Sequence, residues 1–150
     1  MKPNDFDVVS MRTELHEIPE LGFQEKKTSD YVAAKLTELG LKPIRNVGGT
    51  GVVAYIDGTE PGPTVMLRAD MDALPFKIDG KDVCIHACGH DSHTAMGLAT
   101  AARLVGNVKK GRVKLLFQPA EETLFGALKC IEDGVLDDVD YAFGAHVRPI

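Results

Sequence analysis

The chain has no tryptophan, only three cysteines in 150 residues, and no run rich in lysine or arginine. Each absence removes a class of function. No stretch approaches about 18 consecutive apolar residues, so no segment is expected to cross a bilayer as a helix. The 17 basic residues stand against 22 acidic ones, for a net charge of −5, which leaves no basic footprint for nucleic acid. An odd, low cysteine count argues against a disulfide scaffold and for free thiols or metal ligands. Met1 to Ser10 carries Lys2 as its one positive charge and has no apolar centre. That is not a signal peptide, so cytoplasm is the expected compartment. Gly48, Gly49 and Gly51 are not followed by Gly-Lys-Ser/Thr, which removes the phosphate-loop reading.

What remains is an ordinary globular composition, 44% apolar and 26% charged. A chain of this length buries roughly 68–70% of its unfolded surface and supports one core. Apolar spacing predicts helices over Asp5–Ile18, stopped by Pro19, and over Gln24–Leu39, closed by Gly40. Strands are expected at Val52–Ile56, Thr64–Ala69, Arg112–Phe117 and Tyr141–Val147, with Asp57–Pro63 as a loop. Thr94–Val105 is apolar almost all round and reads as a largely buried helix, and Glu122–Glu132 reads as another. The alternation predicts an α/β fold, three-layered, with a mixed central sheet and helices on both faces. No domain boundary falls inside the chain.

Four segments carry residues suited to chemistry. His86–Met96, HACGHDSHTAM, sets Cys88 and His90 on either side of Gly89. Thiolate and imidazole are good ligands for zinc and similar ions, and glycine permits the tight turn that aims both at one point. A buried cysteine at a polar helix start is an equal reading. Asp91 is suited to capping the helix or to bracing a ligand histidine. Phe117–Glu122, FQPAEE, puts two carboxylates just past a strand, where one can hold metal and the other accept a proton. An isolated pair also simply suits a helix start. Leu67–Pro75, LRADMDALP, ends a strand at Asp70 and Asp72, which fits site support or plain turn chemistry. FGAHVRP places His146 near a strand end. Read together, Cys88, His90, Glu122 and His146 form a metal-competent set.

LHEIPELGFQE (Leu15–Glu25), GTGVVAYI (Gly49–Ile56), LRADMDALP, HACGHDSHTAM, FQPAEE and the following His146 occur in this order. Together they resemble the hippurate hydrolase and auxin-conjugate hydrolase branch of the aminoacylase/carboxypeptidase zinc metallopeptidases, along nearly the whole chain. The resemblance implies that Cys88, His90, Glu122 and His146 bind metal, two divalent ions in a complete site. It implies that Glu121 is the general base, taking a proton from water and returning it to the leaving amine. Asp72 joins it as the carboxylate that supports the site, while Asp70, where the wider family has a ligand histidine, is not a ligand. The implied reaction is hydrolysis of the amide of an N-acyl amino acid.

Members of that family are more than twice as long and carry a lid-like domain that dimerises them, then a further ligand histidine. Residues 1–150 are therefore expected to be the N-terminal portion of the catalytic domain, without the lid, and weakly active or inactive alone. The full-length protein is expected to be a homodimer. Thr123-Leu124-Phe125 departs from the family's small residues, and Ser92 stands where glycine is common. His16 is expected at a helix end, buried and hydrogen-bonded. Cys84 and Cys130 read as small packing residues, and His86 and His93 stay open between supporting and incidental roles. The alternatives are a structural zinc module and a thiol redox protein. The first normally closes its site with four Cys/His ligands, and the Cys84-x-x-x-Cys88 spacing is poor for the second. Zn, Mn, Co and Ni all suit the ligand set.

Overall fold

In the computed structural model, residues 6–147 are described. The chain runs α1 (Val8–His16), α2 (Lys26–Glu38), β1 (Ile44–Val47), β2 (Gly51–Asp57), β3 (Glu60–Asp70), β4 (Leu74–Ile78), β5 (Lys81–Ile85), α3 (His90–Leu104), β6 (Lys110–Gln118), a 3-10 turn (Glu121–Thr123), α4 (Gly126–Glu132) and β7 (Tyr141–Gly144). Five strands make one sheet in the order β1-β2-β6-β3-β7, and β4 and β5 form a separate hairpin. Strand β2 is antiparallel to β1 and β6, whereas β3 is parallel to both β6 and β7. The sheet is mixed, as expected.

Side-chain alternation sorts the strands onto two cores. Val52, Ala54, Ile56, Leu115 and Phe117 meet Met11 and Leu15 of α1, Val32 and Leu36 of α2, and Ala95, Leu98 and Ala101 of α3. Val53, Met66 and Leu116 meet Cys130 of α4 and Val135 on the opposite face. Helices thus cover both faces, giving the three layers. The close approach of α3 depends on Gly97: a Cβ there would lie 3.0 Å from the Phe117 ring and 3.3 Å from the Ala69 Cβ. Helix α2 opens beneath Glu20, whose carboxylate accepts from the Lys27 and Thr28 amides at 3.1 and 3.0 Å, satisfying donors that a helix start leaves open.

Several expectations need correction. The Asp57–Pro63 loop is largely strand, because β3 begins at Glu60 and pairs with Lys110 across an irregularity before Thr64. Residues 76–85, for which no element was expected, lie in the β4–β5 hairpin, turned at Asp79-Gly80, both with positive φ. Strand β1 had no expected counterpart; its four residues are mostly exposed and carry no periodic signal. The Glu122–Glu132 helix starts only at Gly126, after the 3-10 turn. On α3 only Met96 and Arg103 are exposed, so the buried-helix expectation holds. No helix among the described residues is long and apolar enough to cross a membrane.

Because β3, β6 and β7 are parallel, their carboxyl ends share one edge. Asp70 is opposite Gln118, and Arg68 is opposite Gly144. The residues just beyond each strand, together with the start of α3, therefore converge where open α/β sheets build their sites. Gly97→Leu is expected to lower stability by about 1–3 kcal/mol through overpacking against Phe117, read as a shift of the denaturation midpoint at unchanged m-value.

Candidate metal centre

His90 opens α3 and is fully buried. Its Nδ1 faces the backbone carbonyl of Asp72 at 2.9 Å and the Asp72 Oδ1 at 3.3 Å. That leaves Nε2 buried without a hydrogen-bond partner among the described residues. Around it stand Asp70 Oδ2, Glu121 Oε2 and Glu122 Oε1, each at 3.7 Å. A bare imidazole nitrogen facing carboxylate oxygens, its other nitrogen held by a carbonyl and a carboxylate, is the arrangement a metal-binding histidine uses. The residues fit a divalent ion.

The turn into α3 makes this possible. Gly89 has φ +89, and a Cβ there would meet Val147 Cγ2 at 2.4 Å. Only glycine suits both the left-handed backbone and the close approach. The turn leaves Cys88 half-buried, its thiol donating to the Asp72 carbonyl at 3.4 Å. Cys88, His90 and Glu122 offer ligand atoms all within 4.8 Å of one another; so do Asp70, His90 and Glu121, and so do His90, His93 and His146. All four sequence-predicted ligands thus fall into groups that share His90. His146 is exposed and joins through the histidine group, its ring centroid 5.5 Å from that of His90.

The electrostatics favour a cation. Burial opposes charge on His90, but the Asp72 hydrogen bond, Cys88 and Asp70 outweigh it and push its pKa up to about 10. The Glu122 carboxyl is raised by burial, partly offset by His90 and reinforced by Glu121. Glu121 and Glu122 are about one-third exposed, so the centre is open on their side.

Asp72 does not face the centre as a free carboxylate. Its Oδ2 accepts the Glu122 amide at 2.9 Å, so it acts through both His90 and the carboxylate turn. Asp70 is likewise committed, with Oδ1 on His93 Nδ1 and Oδ2 paired with Arg68 Nη1 at 2.6 Å. Burial works against its charge, yet His93, His90 and Arg68 hold its carboxyl below the usual range. His93 Nε2 accepts the Val147 amide at 2.9 Å, which puts the imidazole proton on Nδ1. Sequence reasoning left His93 open; it ties β3 to the segment that carries His146.

The other singled-out residues divide. His16 ends α1 and faces Asp91 Oδ2 at 2.7 Å, but it is only half-buried. Asp91 also pairs with Arg12 at 3.0 Å, so it braces α1 rather than a ligand histidine, and Gly89 provides no side-chain cap. His86 is buried, with neither ring nitrogen partnered among the described residues. Burial keeps it neutral, its pKa lowered to about 4. Cys84 is half-buried and Cys130 is buried in the α4-side core. Sequence reasoning missed Glu25 as an individual residue. It has no exposed surface, accepts the Ala120 amide at 2.7 Å on one oxygen and takes the Thr50 hydroxyl at 2.5 Å on the other.

A family model described as peptidase family M20/M25/M40 matches residues 66–150. The chain is 48% identical to a putative amidohydrolase, YhaA, of Bacillus subtilis over 94% of this chain and 38% of that protein. It is 43% identical to hippurate hydrolase of Campylobacter jejuni over 93% of this chain and 39% of that enzyme. The solved Bacillus subtilis YXEP protein, described as a dinuclear metal-binding peptidase of the M20 family, superposes with a TM-score of 0.87. It shares 42% identity, with 95% of this chain and 42% of that one covered. The chain thus spans less than half the length of these relatives.

Asp72→Asn is expected to weaken binding of Co2+ or Zn2+ by about 10–100-fold, read by competition with a chelating dye. A second expectation concerns pH. Burial raises the Glu25 carboxyl above its usual 4.5 despite the Thr50 and Ala120 hydrogen bonds. The folded chain therefore holds that proton more tightly than the unfolded chain. Its contribution to stability is complete below 4.5 and is lost as pH rises through the folded value. The stability of the parent relative to Glu25→Gln should fall with rising pH from about 4.5, measured by denaturant unfolding across a pH series.

Proposed function

Because the chain belongs to peptidase family M20/M25/M40, we propose that the protein carrying it hydrolyses the amide bond of N-acyl amino acids or related small amides with divalent metal. The observation that carries this reading is His90 Nε2, unpartnered among the described residues and facing three carboxylate oxygens at 3.7 Å. The matched relatives include one named for hippurate, an N-acyl amino acid.

In this reading Cys88, His90, Glu122 and His146 hold metal, two ions in the complete site. Zn, Mn, Co and Ni all suit the set. The bound metal supplies polarisation of the amide carbonyl and a lowered pKa for water. Glu121 does the proton work. It accepts a proton from water as the water oxygen bonds to the carbonyl carbon, then returns it to nitrogen as the C–N bond breaks. The products are a carboxylate and a free amino acid. Asp72 fixes His90 and the Glu122 amide, and the Asp70–His93 pair fixes the backbone beside His146. Leu124 and Phe125, 80% and 61% exposed directly after the carboxylates, offer apolar surface suited to an acyl group.

Residues 1–150 read as the front portion of a catalytic domain whose lid and dimerisation domain lie outside it. Tyr141 and Phe143, 59% and 60% exposed on edge strand β7, support further structure covering that edge. The full-length protein is then a homodimer acting in the cytoplasm, with no nucleic-acid or membrane partner. A structural zinc module is the weaker reading, since two half-open carboxylates face the same histidine nitrogen.

Glu121→Gln in the full-length protein should lower kcat on N-benzoyl- or N-acetyl-amino acids by about 10²–10⁴-fold while metal content stays unchanged. Cys88→Ala should lose metal. A Glu121→Gln protein with parental turnover would end this assignment.

A further inference from the structure

Helix α2 starts in an unusual way. Glu25 occupies the position from which a side chain normally caps the helix, yet it makes no capping hydrogen bond. Glu20 does that work from outside, on the Lys27 and Thr28 amides. The Glu25 carboxylate is thereby free to turn inward. It is fully buried and lies in the core with both oxygens occupied, by the Ala120 amide at 2.7 Å and the Thr50 hydroxyl at 2.5 Å. Burying a carboxylate is costly unless it is fully hydrogen-bonded, and nothing about helix α2 needs it there.

What it touches is the hinge of the centre. Ala120 is fully buried and left-handed, at φ 51 and ψ 41, immediately before Glu121. A non-glycine residue in that region costs of order 1–3 kcal/mol and persists only where its surroundings hold it. The surroundings hold it from several sides. The Gly126 amide bonds the Ala120 carbonyl at 3.2 Å, and the Thr123 hydroxyl bonds the same oxygen at 2.9 Å. Gly22 is packed so closely that a Cβ would lie 3.0 Å from Ala120 Cα and 2.7 Å from Thr123 Cγ2. Glu25 supplies the side-chain acceptor for the Ala120 amide. The kink turns the chain out of β6, so that Glu121 and Glu122 both reach His90 Nε2 at 3.7 Å.

We propose that Glu25 is a positioning residue. Its buried carboxylate, steadied by Thr50, holds the left-handed Ala120 kink and so sets Glu121 for proton transfer and Glu122 for metal. This rests on the roles proposed above for Glu121 and Glu122. It assigns a task to a residue 95 positions from the hinge it holds.

The test uses the full-length protein with Co2+ or Mn2+ and an N-acyl amino acid. Glu25→Ala is expected to lower kcat about 100-fold with KM within about threefold, to weaken Co2+ binding about tenfold, and to speed hydrogen exchange across residues 117–126. Glu25→Gln keeps an acceptor for Ala120 and a partner for Thr50, and should recover most of kcat. Thr50→Val, which removes only the second anchor, should fall between. A folded Glu25→Ala protein with parental kcat, Co2+ affinity and exchange would overturn the proposal. If Glu25→Ala does not fold, Thr50→Val decides on the same three readouts, parental values again being the overturning result. A parent that cleaves no such amide, or a fully active Glu121→Gln, would overturn the functional reading instead. Co2+ affinity and exchange at 117–126 would still judge Glu25.

Discussion

The buried carboxylate of Asp72 is the contact on which the rest of the centre depends. Three chain segments meet there: the end of β3, the first residue of α3 through His90 Nδ1, and the turn after β6 through the Glu122 amide. Its backbone carbonyl adds the Cys88 thiol. One residue thus fixes which imidazole nitrogen is free, where the thiol sits and how the carboxylate turn is seated. The tautomer follows directly. With Nδ1 committed to oxygen acceptors, Nε2 is the nitrogen left for a metal.

That geometry gathers negative charge around a buried nitrogen. Asp70, Glu121 and Glu122 converge on His90 Nε2, an arrangement that favours a compensating cation. With no ion bound, the Asp72 hydrogen bond, Cys88 and Asp70 raise the His90 pKa to about 10 against its burial, and burial raises the Glu122 carboxyl. Asp70 escapes because the Arg68 guanidinium pairs with it and the His93 Nδ1–H donates to it. The contrast separates a carboxylate that is already paired from those left facing the free nitrogen, and it explains why Asp70 supports the centre although it stands as close as its neighbours.

Much of this was legible in the sequence because it rests on local rules. Apolar spacing found α2, β2, β6 and the buried helix α3, and residue chemistry singled out Cys88, His90, Glu121 and Glu122. What escaped depends on tertiary partners. Strand β1 exists through its pairing with β2, not through its own pattern. The β4–β5 hairpin was hidden because its largely apolar residues do not alternate with polar ones and none of them is buried. No spacing rule shows that Asp91 meets α1, that His93 reaches Val147, or that Glu25 bypasses its own helix to reach Ala120. Each pairing spans tens of residues and is set by how the layers stack.

Those long-range pairings give the N-terminal segment Leu15–Glu25 its meaning. It contributes no group to the centre, yet three of its residues hold parts that do. His16 grips Asp91, next to His90. Glu20 closes the start of α2 and lends its backbone carbonyl to the Ala73 amide, one residue past Asp72. Glu25, released from capping, reaches the turn before Glu121. The groups of the centre arrive on separate stretches of chain, Cys88 and His90 at the start of α3 and Glu121 and Glu122 on the turn after β6. In the proposed chemistry, part of the preorganisation it requires comes from Leu15–Glu25, which holds Asp91, Ala73 and Ala120 beside those stretches.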